Sequence, residues 1–91
     1  MNAETKMTER QEKLLQVIID AMEKASPVEA HMWKENPAAT VGDELELDSL
    51  DRIEVAIDIE KEMNIVIPDD QIETWRNKTI KEVYESLKDL V

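Results

Sequence analysis

Apolar residues recur at helical spacing in three stretches of this 91-residue chain. In the first, Leu14, Leu15, Ile18, Ile19 and Met22 share one face at the three-and-four spacing of an α-helix. Thr8 and Gln11 stand ahead of it at capping-box positions, a hydroxyl at the cap and an amide three residues on. Pro27 has no amide hydrogen to give a helix interior, so the pattern predicts a helix over Glu9 to Ala25. The last stretch, Ile80, Val83, Tyr84, Leu87 and Leu90, is a clean amphipathic stripe opened by a second capping box, Thr79 to Glu82. Between them lies a long irregular link, residues 26–47, with Pro27, Pro37 and the single glycine, Gly42. Links of this length inside a small domain are uncommon and tend to be functional. Met32 and Trp33 are expected to pin it to the core, with ligand contact as their alternative role.

The middle stretch is two-sided. A helix is expected to start at Asp48, whose carboxylate caps the free first-turn amides and meets the positive end of the helix dipole. It runs to Met63, with Asn64 as its stop. At ~100° per residue, Val55, Ala56, Ile59 and Met63 fall on one side and Leu50, Ile53 and Ile57 on the other. A small bundle buries one such stripe fully. The wider one, ending in Met63, is expected to face the core, leaving the narrower one at least partly exposed beside Asp51, Glu54 and Glu60. An apolar strip with an acidic rim has the anatomy of a protein interface. The competing arrangement tucks Leu50 and Ile53 under the link. Beyond this helix, Asn64 to Pro68 reads as a loop with Ile65 and Ile67 turned inward, and Asp69 as the cap of a short helical turn carrying Ile72 and Trp75. The expected fold is all-α: a small bundle of three main helices plus a short extra one, in a single domain over residues 1–91, with residues 1–7 as a disordered tail.

Composition narrows the possibilities. Leu, Ile and Val make up 23 residues and Phe none, enough for a small core. A formal charge of −11 argues against nucleic acid and against anionic membranes, since both require basic surfaces. No apolar run reaches the ~20 residues of a membrane span, and the N-terminal residues show no hydrophobic signal core, so a cytoplasmic monomer is the expectation. Zero cysteine removes disulfides, thiolate metal ligands and cysteine nucleophiles. The acidity is concentrated: residues 43–62 hold nine carboxylates against Arg52 and Lys61. Such a run either solvates a helix face or steers basic partners to it.

Ser49 sits in the first turn of the two-sided helix. By itself it is a good residue for a helix start. Serine catalysis needs a base and an orienting carboxylate; the sole histidine, His31, lies in the link, and no glycine-rich oxyanion turn surrounds Ser49. A phosphate at a helix start is electrostatically favoured, although Asp48 and Asp51 oppose it. The pairs Asp43/Glu44 and Asp69/Asp70 lack EF-hand spacing and Gly42 is wrongly placed for one, so neither a metal site nor a catalytic residue is expected.

The run Asp48-Ser49-Leu50-Asp51, with Ile53-Glu54-Val55, Ile59-Glu60-Lys61-Glu62-Met63 and Ile67-Pro68-Asp69-Asp70 behind it, resembles the acyl carrier protein family. The resemblance covers roughly residues 8–90. It implies that Ser49 accepts 4′-phosphopantetheine from coenzyme A, through a magnesium-dependent phosphopantetheinyl transferase that supplies the activating base. It also accounts for the missing cysteine, because the working thiol arrives on the arm and forms thioesters with acyl cargo. The implied partners are the transferase and acyl-loading, condensing and acyl-transfer enzymes with basic docking surfaces. The implied contacts are Asp48, Leu50, Asp51, Ile53, Glu54, Ile57 and Glu60, on the helix that charge and the wheel single out independently. The implied role is fatty-acid, polyketide or specialised lipid biosynthesis, as a carrier and not an enzyme.

The chain also departs from the family pattern. Glu46 stands where a glycine is common, two residues before Asp48, and Val41 where the link commonly carries phenylalanine. Lys61 interrupts a stretch that is often fully acidic, and Trp75-Arg76-Asn77-Lys78 is about two residues longer than usual. These put a housekeeping fatty-acid role in question more than carrier function itself, and leave a specialised pathway carrier open. The alternatives are a peptidyl or aminoacyl carrier, which more often has a glycine-rich approach to the serine, and an unmodified acidic helical adaptor.

Overall fold

The computed structural model describes residues 7–26 and 35–91, and among these the chain is helical with no strand. The elements are α1 (Glu9–Ala25), α2 (Ser49–Met63), the short α3 (Asp69–Thr74) running into a 3₁₀ turn (Trp75–Asn77), and α4 (Ile80–Leu87) with a closing 3₁₀ turn (Lys88–Leu90). This is the three-plus-one bundle expected of an acyl-carrier-like fold. No helix among the described residues is long and apolar enough to cross a membrane. Met32 and Trp33 lie outside the described residues.

Local chemistry sets the helix starts. Thr8 and Thr79 each accept the N3 amide on their side chain, while Gln11 and Glu82 return a bond to the cap backbone, so both expected capping boxes form. At α2, Asp48 and Asp51 make the same reciprocal pair, and Asn64 stops the helix in the left-handed conformation that Asn tolerates better than most residues. The start of α3 differs from expectation. Pro68, not Asp69, is the cap residue; it makes no side-chain bond, and Asp69 is already helical. The fixed φ of proline, −62° here, sets up the entry without a capping carboxylate. The final stripe is also shorter than its spacing suggested: α4 ends at Leu87, and the 3₁₀ turn leaves Leu90 exposed.

The core gathers Leu14, Ile18 and Met22 of α1, Val55, Ala56, Ile59 and Met63 of α2, Ile72 and Trp75, and Val83 and Leu87 of α4, all buried. Leu15 packs against it half-buried. The Arg10 guanidinium donates to the Met63 carbonyl at 3.1 Å and ties the start of α1 to the end of α2. In the loop after α2, Ile67 is buried, Ile65 half-buried and Val66 fully outward.

The described part of the link is tightly held. Ala39, Val41, Leu45 and Leu47 enter the core. The Val41 and Gly42 amides donate to the carbonyls of Lys78 (2.8 Å) and Arg76 (3.0 Å), and Thr40 bridges to Thr79. A Cβ at Gly42 would lie 2.6 Å from the Arg76 Cγ and 2.8 Å from its carbonyl oxygen, so only glycine lets the two backbones approach. The Trp75–Lys78 segment, a 3₁₀ turn and its cap, is therefore the surface on which the link docks. Leu47, seated by its amide bond to the Val41 carbonyl at 3.0 Å, then delivers the chain to Asp48.

Candidate functional site

The site grows from the start of α2. The Asp51 amide donates to Asp48 Oδ1 at 2.9 Å, and the Asp48 amide donates to Asp51 Oδ2 at 3.4 Å. Both carboxylates are thereby turned onto the first turn of the helix. Ser49 is the first helical residue and is exposed. Among the described residues its hydroxyl has no hydrogen-bond partner, and the Ser49 and Leu50 amides donate to no protein group. Ser49 opens onto a groove of about 370 Å³ between α2 and α3, whose walls include Arg52, Ile53, Asp69, Ile72 and Glu73.

Glu46, three residues upstream, has φ of 54°, in the left-handed region that glycine occupies without strain. The chain turns here so that Leu47 can point into the core while Asp48 and Ser49 emerge. Upstream again, the Glu44 carboxylate accepts the Thr40 amide (2.7 Å) and hydroxyl (3.1 Å). The bond from the Thr40 amide, reinforced by that from its hydroxyl, holds the Glu44 carboxyl below its ordinary value. This carboxylate stiffens the link that leads to the serine.

The stripes of α2 separate as the wheel anticipates. Val55, Ala56, Ile59 and Met63 are buried, whereas Leu50, Ile53 and Ile57 are 62%, 47% and 42% exposed. The tucked arrangement of Leu50 and Ile53 under the link does not occur. The acidic residues along this face have different duties. Glu54 is exposed and its carboxylate makes no hydrogen bond or ion pair among the described residues. Asp48 and Asp51 serve the capping box. Glu60 is half-buried and accepts the Ile67 amide at 2.8 Å, latching the loop after α2. Two features were missed by sequence reasoning. One is the α3 wall of the groove; the other is Arg52, whose Nη donates to the Leu47 carbonyl at 2.7 Å. Its spacing of three from Ser49 was the available signal.

A family model described as the phosphopantetheine attachment site matches residues 33–87. The chain belongs to this family. It is a phosphopantetheine carrier domain, with covalent 4′-phosphopantetheine as its prosthetic group. Among curated proteins and among solved structures, no match was found. The geometry fits a carrier's attachment site: a free, exposed hydroxyl, unclaimed first-turn amides beside it, and a groove open to an attached group. Carrier domains of this family are served by a phosphopantetheinyl transferase and by partner enzymes.

Proposed function

We propose that this carrier is an acyl carrier protein in which Ser49 bears the 4′-phosphopantetheine arm. The observation that carries the reading is the Ser49 hydroxyl, which is exposed and unbonded at the head of the helix that also presents the apolar stripe. When attached, the arm supplies a thiol that holds acyl groups as thioesters. The chain's own residues do the rest. Asp48 and Asp51 hold the first turn, so the serine is displayed on a rigid element. Leu50, Ile53 and Ile57 offer apolar contact, and Glu54, with the outward edges of Asp48, Asp51 and Glu60, offers charge to basic docking surfaces. The partners in this reading are the transferase and acyl-loading, condensing and acyl-transfer enzymes, met by a cytoplasmic monomer. The pathway in this reading is fatty-acid, polyketide or specialised lipid biosynthesis.

Incubation with coenzyme A, magnesium and a promiscuous transferase is expected to add one phosphopantetheine mass to the chain and none to Ser49→Ala. Absence of the mass gain with several active transferases overturns the assignment. The intact mass of protein isolated from its own cell then separates acyl from aminoacyl or peptidyl cargo. An unmodified adaptor is distinguished by a Ser49→Ala chain that keeps full partner function.

A further inference from the structure

We infer that Arg52 is a positioning residue for the phosphate joined to Ser49, holding that phosphodiester against the groove between α2 and α3. The inference rests on the reading of Ser49 as the attachment site and adds to it a residue of this chain.

Arg52 follows Ser49 by three residues, so the two side chains neighbour each other on one face of α2. Both line the same groove, with Ile53 and Ile72. The guanidinium is anchored, not free. One Nη donates to the Leu47 carbonyl at 2.7 Å, and the side chain is half-buried. Leu47 is itself buried two residues ahead of the serine, which fixes the cation at the approach to the hydroxyl.

The charge of Arg52 is otherwise unused. Residues 43–62 hold nine carboxylates, yet among the described residues none lies within ion-pair distance of this guanidinium. Asp69 and Glu73 face the groove from α3, and both are exposed. They would repel an anion at Ser49, and among the described residues Arg52 is the sole cation in the groove wall to oppose them. One bond to Leu47 uses part of a planar fork of five N–H donors, which leaves enough for two phosphate oxygens. An anchored and unpaired guanidinium in the most acidic stretch of the chain is matched to an anion that arrives later.

The competing role is a brace for the Leu47 carbonyl alone. Wild type, Arg52→Lys and Arg52→Gln are compared as apo and holo proteins, with the arm confirmed by intact mass. The readouts are thermal melting at low and high salt and the ³¹P resonance of the holo forms. Subtracting apo from holo melting temperature cancels any loss from the Leu47 bond. The expected result is a holo-minus-apo difference more favourable in wild type than in Arg52→Gln by on the order of 4 °C at low salt. The difference shrinks at high salt, where exposed charge pairs are screened. The ³¹P resonance is expected to move in Arg52→Gln and less in Arg52→Lys. A brace alone lowers apo and holo melting equally and leaves the resonance in place, which overturns the inference. If wild type gains no arm, the Ser49 assignment fails and this inference falls with it; an arm that is gained but indifferent to Arg52 defeats this inference alone.

Discussion

Val55, Ala56, Ile59 and Met63 are buried on one side of α2, while Leu50, Ile53 and Ile57, of the same chemical type, face solvent on the other. The buried side is explained within the molecule, because its contacts with α1 and α3 supply hydrophobic stabilisation of the bundle. The exposed side has no such account. Three large aliphatic residues along one face of a helix, in a chain with only five exposed large hydrophobics among its described residues, are a standing cost in solubility. The contrast locates the two duties of one helix: stability lies on one side, and contact with other proteins is proposed for the other.

The largest expected effect tests the first duty. Ile59→Ala removes a fully buried side chain and is expected to cost about 2–5 kcal/mol, read by urea or thermal unfolding. Ile53→Ala and Glu54→Lys, on the exposed side, are expected to change stability by less than about 0.5 kcal/mol. In the proposed function both weaken association with basic partner enzymes, with the Glu54→Lys loss largest at low salt. A destabilisation by Ile53→Ala equal to that of Ile59→Ala would erase the distinction between the faces.

The second comparison is between two backbone positions in the link. Gly42 must be glycine because a Cβ there runs into the Arg76 backbone. Glu46 is not glycine although its φ of 54° suits one. Gly42→Ala is therefore expected to destabilise by about 1–3 kcal/mol, the usual range for forced overpacking. Glu46→Gly is expected to stabilise by roughly 1 kcal/mol through relief of left-handed strain. Opposite signs for substitutions four residues apart are the test; the same sign for both would refute the close approach or the strain.

These cases show what was legible in the sequence and what was not. Both threonine capping boxes, the bounds of α1 and α2 and the division of α2 into two stripes all follow from local spacing, which the chain carries in its own order. The groove wall from α3, the Glu60 latch on Ile67 and the docking of Val41 and Gly42 on Arg76 and Lys78 are contacts between separate segments, and no periodicity encodes them. Pro68 taking the cap position from Asp69 is a one-residue shift, decided by the fixed φ of proline. The Asp48-Ser49-Leu50-Asp51 run identified the candidate site, but its neighbour Arg52 acquired meaning only when the Leu47 carbonyl and the groove were seen together.

The smallest expected effect concerns pH, and it separates the acidic residues that hold the link from those that only face solvent. Glu44 accepts two bonds from Thr40, and its carboxyl is held below the ordinary value of 4.5, first by the backbone bond and then by the hydroxyl. A depressed folded value means that the charged form is favoured on folding, so the contribution is present above the unfolded value. It is lost as pH falls through the folded one. Wild type is therefore expected to exceed Glu44→Gln in unfolding midpoint at pH 7, with the gap closing below about pH 4.5 as the wild-type carboxyl protonates. Glu54→Gln, which removes an exposed carboxylate with no side-chain bond among the described residues, is expected to leave the midpoint at pH 7 close to that of wild type. Equal midpoints at pH 7 for the two variants would mean that the Glu44 bonds to Thr40 add nothing, and that the approach to Ser49 is held by its buried side chains alone.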